Sequence, residues 1–513
     1  MLISLAVQNP AKLMTEYSTV AAVDLGSNSF KLQVARVVEN QLYSLDALKE
    51  SVRLAAGLDH KKNLTPESRQ LALDCLKRFG DRLRGLPRAA VRCVGTSALR
   101  QDKNGSEFLA QAEAALGFPI EIIAGREEAR LIYLGVVHSL PQFSGRRLVV
   151  DIGGGSTECI AGQGMAAQLM ESLNMGCVNF SQRFFADGRL DKMAFDLAVL
   201  AARNEASAVA MDFHGRWDAA IGSSGTARAI ADVLEFNGLA AGGITAAGME
   251  RVKQLLIRAG SMEKVQLAGL RADRKPVFAG GLAIMLGIFA ELGVSAMQTG
   301  EGALREGILY DLLGRFHEAD MREATVKEFL RRYHVDLRQA ERVTSVAEQF
   351  FDHIAPGIQG DVKEAHRFLQ WAALLHETGI SVAHSGYHKH GAYILQNADM
   401  PGFSRRDQAR LALLVRAQRG GLAKIPGFQQ GGAEVVDADD RLLVQCLRLA
   451  VAFCRSRRAP EVPADFRLEC GTKGCKLSLG AGWLGEHPLA QTALAEEAED
   501  WEGSGFSFRL KAV

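Results

Sequence analysis

Residues 21–29 read AAVDLGSNS and residues 148–157 read LVVDIGGGST, two stretches of one form. Each is an apolar run, then an aspartate (Asp24 or Asp151), then a turn rich in glycine and hydroxyls. A second alternating run follows each turn, over 30–37 after the first and through Ile160 after the second. This pattern predicts a β-hairpin whose tip carries a carboxylate and exposed backbone N–H groups. Two copies in one chain predict two related lobes whose tips face each other.

Working outward, strands and helices alternate after each hairpin. Residues 89–95 and 120–124 read as strands, and 106–116 and 127–139 as helices by their apolar spacing. In the second half, 219–222 reads as a strand and 226–234 as a helix. Such alternation argues for α/β lobes with mixed sheets. From about Met321 the texture changes: 326–333, 337–354, 364–376, 406–416 and 440–453 read as helices with little strand between them. Residues 470–479 and 505–511 then alternate as strands, and the glycine-rich 427–432 reads as a surface loop. The expected division is a flexible leader (1–18), lobe I (19–131), lobe II (132–313), a helical domain (314–455) and a small C-terminal α/β domain (456–513).

Composition supports a multi-domain globular chain. At 513 residues it exceeds what one hydrophobic core serves. Its 48% hydrophobic and 23% charged residues are ordinary for such proteins. The 60 Lys+Arg against 59 Asp+Glu exclude a polycation, so a polyanionic partner would have to meet locally concentrated basic groups. No run approaches the roughly 20 apolar residues of a membrane helix, and 1–18 lacks the pattern of a signal peptide. Of the eight cysteines most lie in apolar runs, and Cys470 and Cys475 lack the second pair that a zinc site needs. Reduced thiols and a cytoplasmic location are expected, with peripheral membrane association as the alternative.

The chemistry lies in the turns. Glycine, lacking Cβ, lets backbone N–H groups approach a phosphate. A neighbouring carboxylate repels phosphate directly but can hold Mg²⁺, which bridges to phosphate oxygens. Asp24 with 26–29 and Asp151 with 153–157 supply both parts, and a third turn, 222–226, opens a helix and offers another anion site. One Asp-x-Gly turn alone reads as a tight hairpin; three in this order point to phosphate and metal. Neither the P-loop pattern nor Gly-x-Gly-x-x-Gly after a strand is present.

The segments AAVDLGSNSF, VRLAAGLD, GTSALR, EARLIYLGV, VVDIGGGSTE, NMGCVNF, IGSSGT and GALREGILY resemble the exopolyphosphatase/guanosine pentaphosphatase family, within the superfamily of actin, sugar kinases and chaperone ATPases. HETGISVAHSGYHKHGAYILQNADMPGF and WEGSGFSFRL resemble the C-terminal half of the long bacterial exopolyphosphatases. The resemblance implies two actin-like (ribonuclease H-like) lobes, a helical HD-like domain and a small α/β domain. Periodicity does not choose between Glu127 and Glu128; the resemblance implies Glu128 as the residue that activates water, with Asp151 and Glu158 assisting. It further implies Asp24 and Asp151 as Mg²⁺ ligands, with K⁺ as a candidate activating ion. Ser27, Asn28, Ser29, Gly153, Gly154, Gly155, Ser156, Ser223, Ser224 and Gly225 would cradle phosphates. Arg53, Arg100, Arg130 and Arg305 are candidates for a cationic track. Relatives place a phosphate-contacting lysine where this chain has Glu205, with Arg203 nearby as a substitute.

In the C-terminal half, His376-Glu377 stands where HD hydrolases carry His-Asp, near His366, His384, His388 and His390. Glutamate for aspartate and the incomplete ligand pattern favour an inert domain that walls the exit of the substrate channel and supports a homodimer. Four functions are open: exopolyphosphatase, guanosine pentaphosphate 5′-phosphohydrolase, a kinase with Ala279-Gly280-Gly281-Leu282 at an adenosine pocket, and a non-catalytic polyphosphate-binding protein. The C-terminal likeness favours the first, and no nucleic-acid partner is expected.

Overall fold

The computed structural model describes residues 17–513 apart from 39–40, 60–61, 103–104, 142, 241, 317–319, 429–435, 459–461, 464, 472–473 and 502–503. The leader's first sixteen residues and much of the expected 427–432 loop lie outside the described residues. The chain forms two compact units, Met1–Met321 and Arg322–Val513.

The first unit holds two sheets of repeated topology. Strands β1 (Thr19–Leu25), β2 (Phe30–Val38), β3 (Gln41–Glu50), β4 (Val91–Gly95) and β5 (Ile120–Ile122) lie in the order 3-2-1-4-5. Strands β6 (Arg146–Ile152), β7 (Thr157–Gln163), β8 (Ala166–Leu173), β9 (Ala219–Ser223), β10 (Ile244–Thr245) and β11 (Ala296–Thr299) lie in the order 10-11-9-6-7-8. In both, a three-stranded antiparallel meander is extended by parallel pairing of its first strand: β1 to β4 and β6 to β9. The hairpin registers match as well, pairing Asp24 with Lys31 and Asp151 with Glu158.

Strand alternation divides the burial. Ala21, Val23 and Leu25 join the larger core, while Val20 and Ala22 face a second one. That second core also holds Val149 of β6 and residues of two helices, Gly125–Ser139 and Leu304–Phe316. The helix pair therefore lies against both sheets, and Asp24 and Asp151 continue the faces it covers. Backbones meet directly between these helices. A methyl on Gly307 would lie 1.8 Å from the Leu131 carbonyl oxygen, and one on Gly135 would lie 2.1 Å from that of Ala303. The helix Gly125–Ser139 runs through the expected 131/132 boundary.

Among the described residues, helix Lys275–Leu292 is long and apolar enough to cross a membrane by length and composition. It is instead largely buried against helices Cys177–Phe184 and Lys192–Phe213. Its Gly280 and Gly281 allow close contact with Ser181 and Thr226, so this stretch is packing and not an adenosine pocket.

After helix Met321–Arg332, the second unit includes helices capped by Asp336 (Leu337–Ile354), Asp361 (Val362–Leu375), Ser404 (Arg405–Ala417) and Asp437 (Ala438–Phe453), each cap side chain accepting a first-turn N–H. Its last sheet comprises β12 (Arg467–Gly471), β13 (Gly474–Leu479) and β14 (Ser507–Ala512), and one apolar cluster runs through these helices and this sheet. Here the expectation of reduced thiols fails for one pair. Cys470 and Cys475 are directly opposed on β12 and β13 and form a disulfide, while the other six cysteines are free and buried.

Gly307→Ala forces a methyl against backbone that has no flexible end to move. It should cost about 1–3 kcal/mol of stability, as overpacked substitutions do. Urea unfolding of the variant beside the parent checks this.

Candidate active site

The loops leaving β1, β6 and β9 meet in one cleft. Its walls include Asp24, Gly26, Ser27, Asn28 and Ser29 from the first hairpin, Gly153, Gly154, Gly155 and Ser156 from the second, and Ser224 and Gly225 from the third turn. The hairpin tips touch: a methyl on Gly154 would lie 2.9 Å from Ser27 Cβ and 3.0 Å from the Asn28 nitrogen. Only glycine permits this approach. Ser224 sits in left-handed backbone, φ 72°, where a non-glycine residue is uncommon. Its hydroxyl donates to the Ile152 carbonyl, as does that of Thr226, tying the third turn to the end of β6.

Four carboxylates converge here: Asp24, Glu128, Asp151 and Glu158, all lining the cleft and all buried. Asp24 Oδ2 accepts from Lys31 Nζ at 3.1 Å, whereas its buried Oδ1 has no hydrogen-bond partner among the described residues. Glu128 occupies the first turn of helix Gly125–Ser139, and its Oε2 accepts from Arg100 at 2.8 Å. The same guanidinium nitrogen donates to the Ile123 carbonyl, which fixes it against the end of β5. Glu158 accepts from Ser172 at 2.8 Å.

Of Glu127 and Glu128, it is Glu128 that lines the cleft. Glu127 turns away from the cleft into a buried ion network, accepting from Arg130 at 2.8 and 2.9 Å. Arg130 also reaches Asp311, and Arg92 bonds Asp311 at 2.6 Å and Glu121 at 3.1 Å. Breaking such a network by removing one member is costly, because the remaining charges stay buried.

Burial raises the Glu128 carboxyl above the usual glutamate range; Arg100 opposes this, and Asp24 and Asp151 reinforce it. Glu158 is pushed well above that range by burial, then by Glu128 and Asp151. Asp151 is raised by burial, with Lys31 and the Ser224 and Ser223 hydroxyls pulling it back. The cleft thus holds acidic groups that resist ionising together, as carboxylates sharing a low-dielectric site do.

The cationic candidates separate. Arg100 touches Glu128 without lining the cleft. Arg53 is exposed and outside the lining, contributing its backbone N–H to the Asn28 carbonyl. Arg130 is spent in the buried network, and Arg305 lies 3.6 Å from Glu306. Ser223 is fully buried and donates to the Gly302 carbonyl, outside the lining. Glu205 accepts from the Asn174 N–H, and Arg203 pairs with Glu291.

Two cleft cations escaped the sequence reading, Lys31 and Arg274. Lys31 had a signal: it stands seven residues after Asp24, as Glu158 does after Asp151. Arg274 had none in its local pattern. Its guanidinium nitrogen occupies space beside Gly225, 1.9 Å from where a Cβ would lie.

Asp24 and Asp151 suit Mg²⁺, a hard cation that takes one or two carboxylates and keeps its remaining waters. The unpartnered Asp24 oxygen is consistent with this. No group of three or more His, Cys, Asp or Glu forms a ligand cage among the described residues. In the second unit, His376 is buried with Nδ1 2.7 Å from the Ala373 carbonyl, and Glu377 is bonded by Arg457, which also holds Asp336 at 2.9 Å.

Two lobes of repeated strand order around an acidic, glycine-lined cleft define the actin-like class of phosphate-handling proteins. The Ppx/GppA phosphatase family matches residues 33–316, and that family's domain III matches 321–498. The chain belongs to the Ppx/GppA phosphatase family. An exopolyphosphatase-like protein of known structure is 25% identical, over 57% of this chain and 97% of its own, with a TM-score of 0.51. An exopolyphosphatase from Cytophaga hutchinsonii ATCC 33406 shares 24% identity over 58% of this chain and 98% of its own, TM-score 0.50, a likeness of fold.

Were Glu128 to act as a base it would have to be ionised, and the acid limb of the rate profile should then lie above the ordinary glutamate value of about 4.3. Arg100→Gln removes a cation that favours the ionised form and should move that limb to higher pH, as pH-dependent kcat/KM would show. Glu158, with its raised folded value, binds a proton that the unfolded chain releases. Its contribution to stability is therefore lost as pH rises from the ordinary glutamate range through the folded value. Glu158→Gln should raise Tm at neutral pH in chelator and leave it unchanged below about pH 4.

Proposed function

We propose that this phosphatase is an exopolyphosphatase, removing terminal phosphates processively from inorganic polyphosphate. The observation that carries this reading is the position of Glu128: buried, held by Arg100, and lining the same cleft as the glycine turns and Asp24 and Asp151. Hydrolysis of a phosphoanhydride needs an in-line water, neutralised equatorial oxygens and a held leaving group. Glu128 orients the water and accepts its proton, its raised affinity for protons matching that task. The N–H groups of 153–156, the Ser224-Gly225 turn at its helix start and the hydroxyls of Ser27 and Ser29 hold the terminal phosphoryl group. Lys31 and Arg274 add positive charge at the same walls. Asp24 and Asp151 would hold Mg²⁺, which supplies charge neutralisation to the phosphoryl oxygens.

One observation favours an inorganic chain over a nucleotide tail. Among the described residues no aromatic side chain lines the cleft for a purine to stack on. Guanosine pentaphosphate 5′-phosphohydrolase is the second reading, since the same centre could act on a 5′-triphosphate whose nucleoside stays outside. We place the enzyme in the cytoplasm, acting as a homodimer.

Glu128→Gln should lower kcat by about 10²–10⁴, the usual loss for a proton-transferring group, with the circular dichroism spectrum preserved. A folded Glu128→Gln variant of near-parental turnover would remove Glu128 from this role. Phosphate release from long-chain polyphosphate and from guanosine pentaphosphate, side by side with and without Mg²⁺, decides the substrate. Preference for the nucleotide would overturn the first reading.

A further inference from the structure

At the edge of the cleft one carboxylate stands among three cations. Asp273 precedes helix Lys275–Leu292; its Oδ2 lies 3.4 Å from Lys49 Nζ and 3.9 Å from Arg274 Nε, and its Oδ1 3.3 Å from Arg271 Nε. Lys49 comes from β3 of the first lobe, whereas the other three groups belong to the second, so the contact joins the two. Lys49 is also the cross-strand partner of Lys31, which lines the cleft together with Arg274. Lys31, Lys49, Arg274 and the exposed Arg271 thus make a cationic path from the cleft wall to solvent.

With Lys31 paired to Asp24, the single Asp273 carboxylate leaves Lys49, Arg271 and Arg274 with positive charge in excess. Burial first, then Arg274, hold the Lys49 ammonium below the usual lysine range, with Asp273 opposing. Partly exposed pairs of this kind contribute little stability, so Asp273 can be displaced by a better anion. A phosphate group is such an anion, and one already tethered to a bound terminal phosphate arrives at high effective concentration.

We propose that Lys49, Arg271 and Arg274 form a subsite for a chain phosphate beyond the reacting end, and that Asp273 is its built-in competitor, displaced as the polyphosphate enters. This rests on the polyphosphate reading above. A lone phosphate, untethered, gains too little to displace the aspartate, so the device favours chain over product.

The test is binding to the full chain carrying Glu128→Gln, which prevents consumption of the ligand, by titration calorimetry with long-chain polyphosphate and with pyrophosphate. Adding Asp273→Asn should tighten long-chain binding by about threefold to fivefold. Adding Lys49→Gln should weaken it by a similar factor, and both should change pyrophosphate affinity less than about twofold. In the Lys49→Gln background, Asp273→Asn should gain less than it does in the parent, since only Arg271 and Arg274 remain to be freed. Unchanged long-chain affinity in Asp273→Asn, or equal shifts for both ligands, would overturn the subsite. A Glu128→Gln parent that binds no long-chain polyphosphate would instead overturn the substrate reading, and the subsite with it; there the parent fails, not the added substitutions. Circular dichroism guards against misfolding, of little concern at these partly exposed positions.

Discussion

Four carboxylates share one buried cleft, and the rest of the first unit can be understood as the means of keeping them there. Like charges in a low-dielectric site repel and shed ionisation. Lys31 and Arg100 each hold one carboxylate directly, and the Ser172 hydroxyl bonds a third. The compensation is partial, which is why Glu128, Asp151 and Glu158 all keep raised proton affinities. Such a site costs stability and gains reactivity, a trade common where function needs strained electrostatics. A divalent ion between Asp24 and Asp151 would relieve much of the remaining repulsion.

The scaffold converts repetition into opposition. Because both sheets share one strand order, each hairpin delivers its aspartate at the same point of its lobe, and the helix pair lying against both sheets sets the two points face to face. The repeat is faithful in backbone and selective in charge. At the position seven residues on, the first copy carries a cation, Lys31, and the second an anion, Glu158. A duplicated frame has thereby become an asymmetric site.

Much of this was legible in the sequence, and the losses have physical causes. Hairpins, turns and their order could be read because glycine and alternation are local signals. Helix Lys275–Leu292 was missed because a helix buried all round shows no periodic face. The third-turn serines were read as one cradle, yet Ser223 points into the core while Ser224 lines the cleft, a difference set by one left-handed residue. Among the arginines, sequence offered types and not directions: Arg130 went to the buried network and Arg53 to solvent. Arg274 reaches the cleft from nearly fifty residues beyond Gly225, a proximity that only the fold creates. The Cys470–Cys475 link depends on strand register, which no cysteine count reveals.

Neighbouring glutamates on one helical turn face opposite surroundings, one a lattice of arginines and the other the cleft. Successive residues of a helix are separated by about 100° of rotation. A one-residue slip of this helix, taken up in the connection from β5, would carry Glu127 to the cleft and Arg126 into the network, or Ala129 to the cleft and Glu128 into the network, so one of the two environments would lose its glutamate. Drift in this connection should be confined to substitutions that preserve its length, even where its side chains are free to vary.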